Sequence, residues 1–179
     1  MLSVGDRFPA FRVTATVSTD PATSFREVTD GDDAGRWKVF FFYPKDFTFV
    51  CPTEIAAFGK LQPQFEKAGA VLYGGSTDSE FVHRAWREHE PLLGDLPFPL
   101  LADVRRDLSQ ALGILDREEG VCVRATFIVD PEGVIRYASA NDLAVGRNPE
   151  EVLRTLAALQ SGGLTACGWK IGDPNLEAA

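Results

Sequence analysis

The chain carries three cysteines, Cys51, Cys122 and Cys167, and two histidines, His83 and His89. Of these, Cys51 has the surroundings of a nucleophile. It stands in Phe42-Tyr43-Pro44-Lys45-Asp46-Phe47-Thr48-Phe49-Val50-Cys51-Pro52-Thr53-Glu54. An apolar run stops at Pro44, and helical periodicity starts near Pro52. Proline suits the first helical position, because its missing N–H would have no partner there. This predicts Cys51 at or beside a helix N-cap, with free backbone N–H groups and the positive end of the helix dipole facing its sulfur. Both favour thiolate over thiol, and the thiolate is the species that attacks. A small buried thiol packed beneath the loop is the alternative that the local pattern leaves open.

The remaining candidates form no cluster. No C-x-x-C pair occurs, so neither a zinc ribbon nor a thioredoxin-type redox pair can be built locally. His83 and His89 lie six residues apart (89 − 83), which on a helix sends them to different faces. They read as surface or packing residues, and neither a metal nor a cofactor is expected. Cys122 precedes Arg124 by two positions, so on a regular strand both side chains share a face. A passive, partly buried thiol is the favoured reading of Cys122, with an auxiliary redox thiol near Cys51 as the other. Cys167 lies in a stretch without clear period and, alone, reads as a thiol in a frayed terminus.

Strand-like and helix-like segments alternate, which predicts an α/β layered fold. Lys38 to Tyr43 reads as a doubly buried central strand. Ala70 to Ser76 is a second strand, and Leu100-Leu101 belongs to a short one. Ala125 to Asp130 and Val134 to Ala140 flank the turn Asp130-Pro131-Glu132-Gly133 and form a hairpin. If the second of these lies at a sheet edge, it needs covering, and a twofold copy of itself would serve.

From Pro52 to Ala68, the residues Ile55, Phe58, Leu61 and Phe65 fall on one helical arc, interrupted by Pro63, which should kink the helix near Gly59. Asp78 is placed to cap a helix ending near Glu90, with Phe81, Ala85 and Trp86 as its apolar side. Trp86 reads as core or pocket wall. Asn148-Pro149-Glu150-Glu151 starts a further helix whose buried stripe is Val152, Leu153, Leu156 and Leu159, ended by Gly162-Gly163. The expected organisation is a main domain over 1–162 and a tail over 163–179.

Pro44, Thr48 and Cys51 match a P-x-x-x-T-x-x-C pattern, and the string from Phe42 through Phe58 extends it. Gly5-Asp6-Arg7-Phe8-Pro9, Ser76-Thr77-Asp78-Ser79, Arg124 through Asp130, Val145-Gly146-Arg147-Asn148 and Cys167-Gly168-Trp169-Lys170 follow in order. On these motifs, spread over nearly the whole chain, the sequence resembles the typical two-cysteine peroxiredoxins, in particular the alkyl hydroperoxide reductase C (AhpC/TSA) family of actinobacterial flavour. The resemblance implies a thioredoxin-like fold, a central mixed sheet flanked by helices with added N-terminal and C-terminal segments.

It also implies a thiol peroxidase without cofactor. Cys51 would be the peroxidatic cysteine, and Thr48 would hydrogen-bond the peroxide. Arg124 would hold thiolate and peroxide oxygens, and Pro44 would shield the sulfur. Glu54 and Arg147 would orient that arginine, and Cys167 of a neighbouring subunit would resolve the sulfenic acid as a disulfide. The implied partners are a hydroperoxide and a dithiol reductant (thioredoxin, an AhpD-type protein or a flavin-dependent disulfide reductase). A homodimer assembling into a decameric or dodecameric ring is implied as well, and Phe47 and Phe49 are candidate contacts between its dimers. A holdase chaperone or peroxide-signalling ring with incidental peroxidase activity is the alternative.

Acidity alone cannot make such an enzyme. At pH 7.4, full ionisation of a thiol of ordinary pKa raises the thiolate fraction only about tenfold. The rest must come from donors that strengthen on the leaving oxygen in the transition state. Thr165 stands where some relatives carry a further cysteine. The Gly-Gly-Leu-Gly loop and C-terminal Tyr-Phe pair of easily overoxidised members are missing, so resistance to overoxidation is expected.

Composition agrees. The 179 residues suit one domain, and 45% apolar with 25% charged residues is ordinary globular usage. With 18 basic against 26 acidic side chains, the net charge is −8. That disfavours nucleic acid and anionic membrane surfaces as partners. No basic n-region with a long apolar stretch follows Met1, so a soluble cytoplasmic protein is expected.

Overall fold

The run around Val39 becomes the strand on which the molecule is organised. The computed structural model describes residues 1–177. Its elements are β1 (Arg12–Thr16), β2 (Phe25–Thr29), β3 (Trp37–Phe42), α1 (Cys51–Lys67), β4 (Ala70–Ser76), α2 (Glu80–His89), β5 (Leu100–Ala102), α3 (Asp107–Leu112), β6 (Arg124–Val129), β7 (Ile135–Asn141) and α4 (Pro149–Gln160). The sheet runs β2-β1-β5-β4-β3-β6-β7. Strands β3, β4 and β5 are parallel, and β6 and β7 continue antiparallel. β7 is an edge strand, as its hairpin pattern suggested.

Alternation along β3 divides the interior into two cores. Val39 and Phe41, with Tyr43 beyond the strand end, pack with Ile55, Phe58 and Phe65 of α1 and Val152, Leu153 and Leu156 of α4. Phe40 and Phe42 point the other way, against Leu101, Leu108, Leu112 and Phe127. Cys51 belongs to the first core and Cys122 to the second. Phe41 stacks on Phe58 with ring centroids 4.0 Å apart. That stack needs Gly74 opposite, since a Cβ there would lie 2.9 Å from the Phe41 ring and 2.8 Å from Leu100.

Several local expectations need correcting. β1, β2 and α3 have no strong sequence signal. The first two form a half-exposed polar hairpin, and α3 has only 6 residues. Ser79, not Asp78, caps α2, accepting from the Val82 N–H. Asp78 is occupied instead by the Ser76 hydroxyl and the Asp46 N–H. Phe81 is 64% exposed; the buried face of α2 is His83, Trp86 and Arg87, at i, i+3 and i+4. Helix α1 runs continuously through Pro63.

After α4 the chain folds back rather than fraying. Leu176 N–H bonds the Leu164 carbonyl, Trp169 is buried, and Arg154 donates to the Trp169 carbonyl at 3.1 Å. Cys167 is exposed on this loop. Among the described residues, no helix is long and apolar enough to cross a membrane.

Candidate active site

Val50 is the N-cap of α1 and Cys51 its first helical residue, so Pro52 comes one position later than expected. The shift matters electrostatically. Thr53 and Glu54 both direct their N–H groups to the Val50 carbonyl, at 3.1 and 3.3 Å. The helix end therefore offers the sulfur little direct donation. Among the described residues, the hydrogen bond to Cys51 Sγ comes from Arg124 Nη1 at 3.3 Å.

Arg124 opens β6 and is held from both ends. Its Nε donates to the Leu143 carbonyl at 2.8 Å, and Nη1 also donates to Glu54 Oε2 at 2.6 Å. Glu54 stands one helical turn after Cys51, on the same side of α1. Arg147 completes the cluster. Its backbone N–H and Nε each lie 2.8 Å from Glu54 Oε1, and Nη2 is 3.1 Å from Oε2. Its Nη1 reaches the Ala125 carbonyl and Thr126, and its guanidinium lies over the Phe41 ring, 5.6 Å from the centroid.

Burial works to raise the Glu54 carboxyl, but the hydrogen bonds and charge of Arg147, with the charge of Arg124, outweigh it and hold its pKa below the ordinary carboxylate range. One carboxylate between two guanidiniums leaves an excess positive charge in a buried site. That excess faces the sulfur.

Pro44 is buried just beyond the end of β3, and Cys51 is itself 0% exposed. The Thr48 hydroxyl donates to the Lys45 carbonyl at 2.8 Å. Its oxygen thus remains free to accept, so it suits a peroxide O–H rather than a developing oxyanion. Phe47 adopts φ +55° between Asp46 and Thr48. Phe47 and Phe49 are exposed, Phe49 at 95%.

Six predicted site residues are thereby brought to one end of the sheet: Pro44, Thr48, Cys51, Glu54, Arg124 and Arg147. Cys167 is not among them; it and Cys51 are free thiols, one exposed and one buried. Cys122 is not there either. The Ala125 N–H bonds the Val123 carbonyl, a three-residue turn centred on Arg124 that breaks the parity of the strand there. Arg124 then faces Cys51, while Cys122 drops into the opposite core. Its Sγ lies 3.1 Å from Ser109 Oγ, and burial, the Asp103 charge adding to it, pushes the thiol pKa up to about 12. A regular strand was the wrong assumption there.

The sequence reading missed the Leu143 carbonyl, which no side-chain pattern announces. It also missed His83, whose i, i+3, i+4 relation to Trp86 and Arg87 could have been noticed.

The AhpC/TSA family model matches residues 4–138. The alkyl hydroperoxide reductase C of Mycobacterium tuberculosis is 50% identical over 99% of this chain and 95% of the relative. That of Mycolicibacterium smegmatis has the same identity and coverage. The solved structure of Mycobacterium tuberculosis AhpC superposes with a TM-score of 0.88 at 49% identity, covering 95% of this chain and 99% of that one. A sheet of this order, a cysteine opening α1 beneath an arginine of β6, and relatives of this identity lead to one conclusion: the chain belongs to the AhpC/TSA family and is a thiol peroxidase of the peroxiredoxin kind.

Proposed function

We propose that the chain reduces hydrogen peroxide and organic hydroperoxides at Cys51 and closes its cycle through Cys167 of a partner subunit. The observation that carries this reading is the Cys51 Sγ to Arg124 Nη1 contact of 3.3 Å, within the buried Arg124–Glu54–Arg147 cluster. The thiolate attacks the terminal peroxide oxygen. The O–O bond breaks, its electron pair leaves with the distal oxygen, and that oxygen takes a proton to become water or an alcohol. Cys51 becomes a sulfenic acid. Arg124 stabilises the charge moving from sulfur to the leaving oxygen, and Glu54 with Arg147 keeps its guanidinium aimed without reorganisation. Thr48 orients the peroxide by accepting its O–H, and Pro44 limits water at the sulfur.

The Cys167 thiol then displaces hydroxide from the sulfenic sulfur, giving a disulfide and water. The buried Cys51 must be uncovered first, because a disulfide needs Cα atoms about 4.4–6.8 Å apart. An external dithiol, from thioredoxin, an AhpD-type protein or a flavin-dependent disulfide reductase, returns both thiols. The organisation that serves this is a main domain over 1–162 with a tail over 163–179. The edge of β7 beyond Ile135, whose own N–H and carbonyl are taken by Asp6 and Gly5, suits a twofold partner, and exposed Phe47 and Phe49 suit contacts between dimers in a decameric or dodecameric ring. The cytoplasm, rich in such reductants, is the proposed compartment.

A non-reducing gel after stoichiometric hydrogen peroxide tests the cycle. Disulfide-linked dimers are expected for the wild type and Cys122→Ser, and absent for Cys51→Ser and Cys167→Ser. Wild type that oxidises at Cys51 yet stays monomeric would replace the intersubunit step with a one-cysteine or intrasubunit one.

A further inference from the structure

Behind the catalytic loop lies a buried pair that the reaction does not use. His83 of α2 and Asp46, two residues after Pro44 and two before Thr48, are 0% and 1% exposed at their side chains. His83 Nδ1 is 2.7 Å from Asp46 Oδ2, and His83 Nε2 is 3.1 Å from the Leu101 carbonyl of β5. A carbonyl only accepts, so Nε2 carries a hydrogen. At 2.7 Å a second hydrogen must then lie between Nδ1 and Oδ2, since two lone pairs would repel. The pair holds two protons and is neutral overall, whichever atom owns the shared one.

The surroundings agree with that count. Asp46 Oδ1 is buried without a hydrogen-bond partner. An orphaned oxygen is tolerable on a carboxyl that shares its charge with a proton, and costly on a bare carboxylate. Burial, and the nearby Asp78 carboxylate, raise the Asp46 carboxyl against the lowering by its His83 hydrogen bond. The other polar groups facing the pair are the Tyr43 hydroxyl, 3.4 Å from Nδ1, and Ser76 bonded to Asp78. Arg87, a turn further along α2, is spent on the carbonyls of Thr16, Gly94 and Leu96.

Asp46 is thus tied twice, by its side chain to α2 and by its N–H to Asp78 at 2.9 Å. A chain fixed there must turn sharply to reach α1. The turn is taken by Phe47 at φ +55°, a left-handed conformation rare outside glycine and asparagine. That turn returns the Thr48 hydroxyl to the Lys45 carbonyl and leaves its lone pairs free. We infer that His83 and Asp46 are positioning residues of the peroxidase, a proton-sharing anchor that stores the Phe47 turn and so places Thr48 for the peroxide. The inference rests on the peroxidatic reading of Cys51.

The test compares two rates at Cys51 in the full-length reduced protein: reaction with hydrogen peroxide and alkylation by iodoacetamide. Peroxide needs Thr48; the alkylating agent needs only an accessible thiolate. His83→Phe removes both ring nitrogens, and Asp46→Ala cuts the same bond from the loop side. Both are expected to slow the peroxide reaction on the order of 10²-fold, the cost of misplacing a reacting group by about 1 Å. Alkylation should change by less than about threefold, since no reacting group is lost from it. Asp46→Asn can donate to Nδ1 without a titrating proton, and is expected to restore the peroxide rate to within about threefold of wild type, a neutral bond being roughly half as strong.

If His83→Phe fails to fold, the Asp46→Ala and Asp46→Asn contrast decides alone. Wild-type peroxide rates in the bond-breaking variants overturn the inference. So does a parallel change in both rates, which marks a general structural role, and so does Asp46→Asn behaving like Asp46→Ala. A wild type that alkylates at Cys51 but does not consume peroxide fails the peroxidase reading instead.

Discussion

Cys51 and Cys122 are both 0% exposed, on opposite faces of one sheet. Around Cys51 a guanidinium donates to sulfur, and two arginines share one carboxylate. Among the described residues, the hydrogen-bond partner of the Cys122 sulfur is Ser109 Oγ, whose single hydrogen goes to Asp103 Oδ2 at 2.5 Å. Ser109 can therefore only accept, and Cys122 must keep its S–H to donate. Burial of a charge is costly unless it is paired. One site supplies the pairing cation, while the other supplies an acceptor backed by an anion. Burial does not separate the proposed nucleophile from a packing residue here; the sign of the partner does. Arg124 reaches the first site and Cys122 the second because a three-residue turn centred on Arg124 breaks the alternation there.

The two sites should differ most when each sulfur is removed in turn. Cys51→Ser is expected to lower peroxide consumption, followed with excess dithiothreitol, by at least about 10³-fold, since a hydroxyl is not ionised there. Cys122→Ala should stay within about twofold, because its sulfur contacts nothing in the reaction. A large loss in Cys122→Ala would return Cys122 to the catalytic cycle.

Removing the cation tests the same difference from the other partner. Arg124→Met keeps much of the apolar stem and deletes the charge. It should cost about 10²–10³-fold in the second-order peroxide rate, as for loss of one transition-state donor. Retention of the wild-type rate would mean that the sulfur is activated from elsewhere.

Glu54→Gln sharpens the account of why Arg124 stays aimed. It leaves two buried guanidiniums facing a neutral amide, and should cost about 3 kcal/mol of stability at pH 7. The Glu54 pKa is lowered in the folded state from an ordinary 4.5. Its stabilisation is therefore full above that value and is lost as pH falls through the folded value. Urea titrations of wild type and variant should differ most near neutrality and converge in acid. A constant gap would place the stabilisation in packing rather than in charge.

How much of this was legible beforehand varies with the distance over which each feature is decided. β3, β4, α1 and α4 follow from local apolar runs and from Asn148-Pro149. The cluster of Cys51, Glu54, Arg124 and Arg147 was reachable only through resemblance, because residues 70 and 93 positions apart meet by topology. β1 and β2 stayed hidden because a half-exposed edge hairpin carries a weak alternation. The placing of Cys122 failed on one backbone turn, and the donors to Cys51 failed on one residue of helix start. Both are single-residue matters below the resolution of periodicity: the first sets Cys122 beside Ser109 and Asp103 instead of Arg124, and the second gives Cys51 a guanidinium donor instead of helix N–H groups.

The smallest expected effect probes the Cys122 environment directly. Replacing it with Ala removes sulfur packing and should cost about 1 kcal/mol at pH 7, the scale of a small buried group. That gap should not be constant. The thiol is raised from its ordinary 9.0 to about 12 in the folded state. Folding therefore favours the protonated thiol: its contribution is whole below pH 9 and declines as pH rises toward the folded value. Wild type loses this contribution in alkali and Cys122→Ala has none to lose. The two urea midpoints should approach one another above about pH 9. A gap that holds steady through that range would mean that the thiolate is tolerated beside Ser109, and the contrast between the two cysteines would then rest on access rather than on charge.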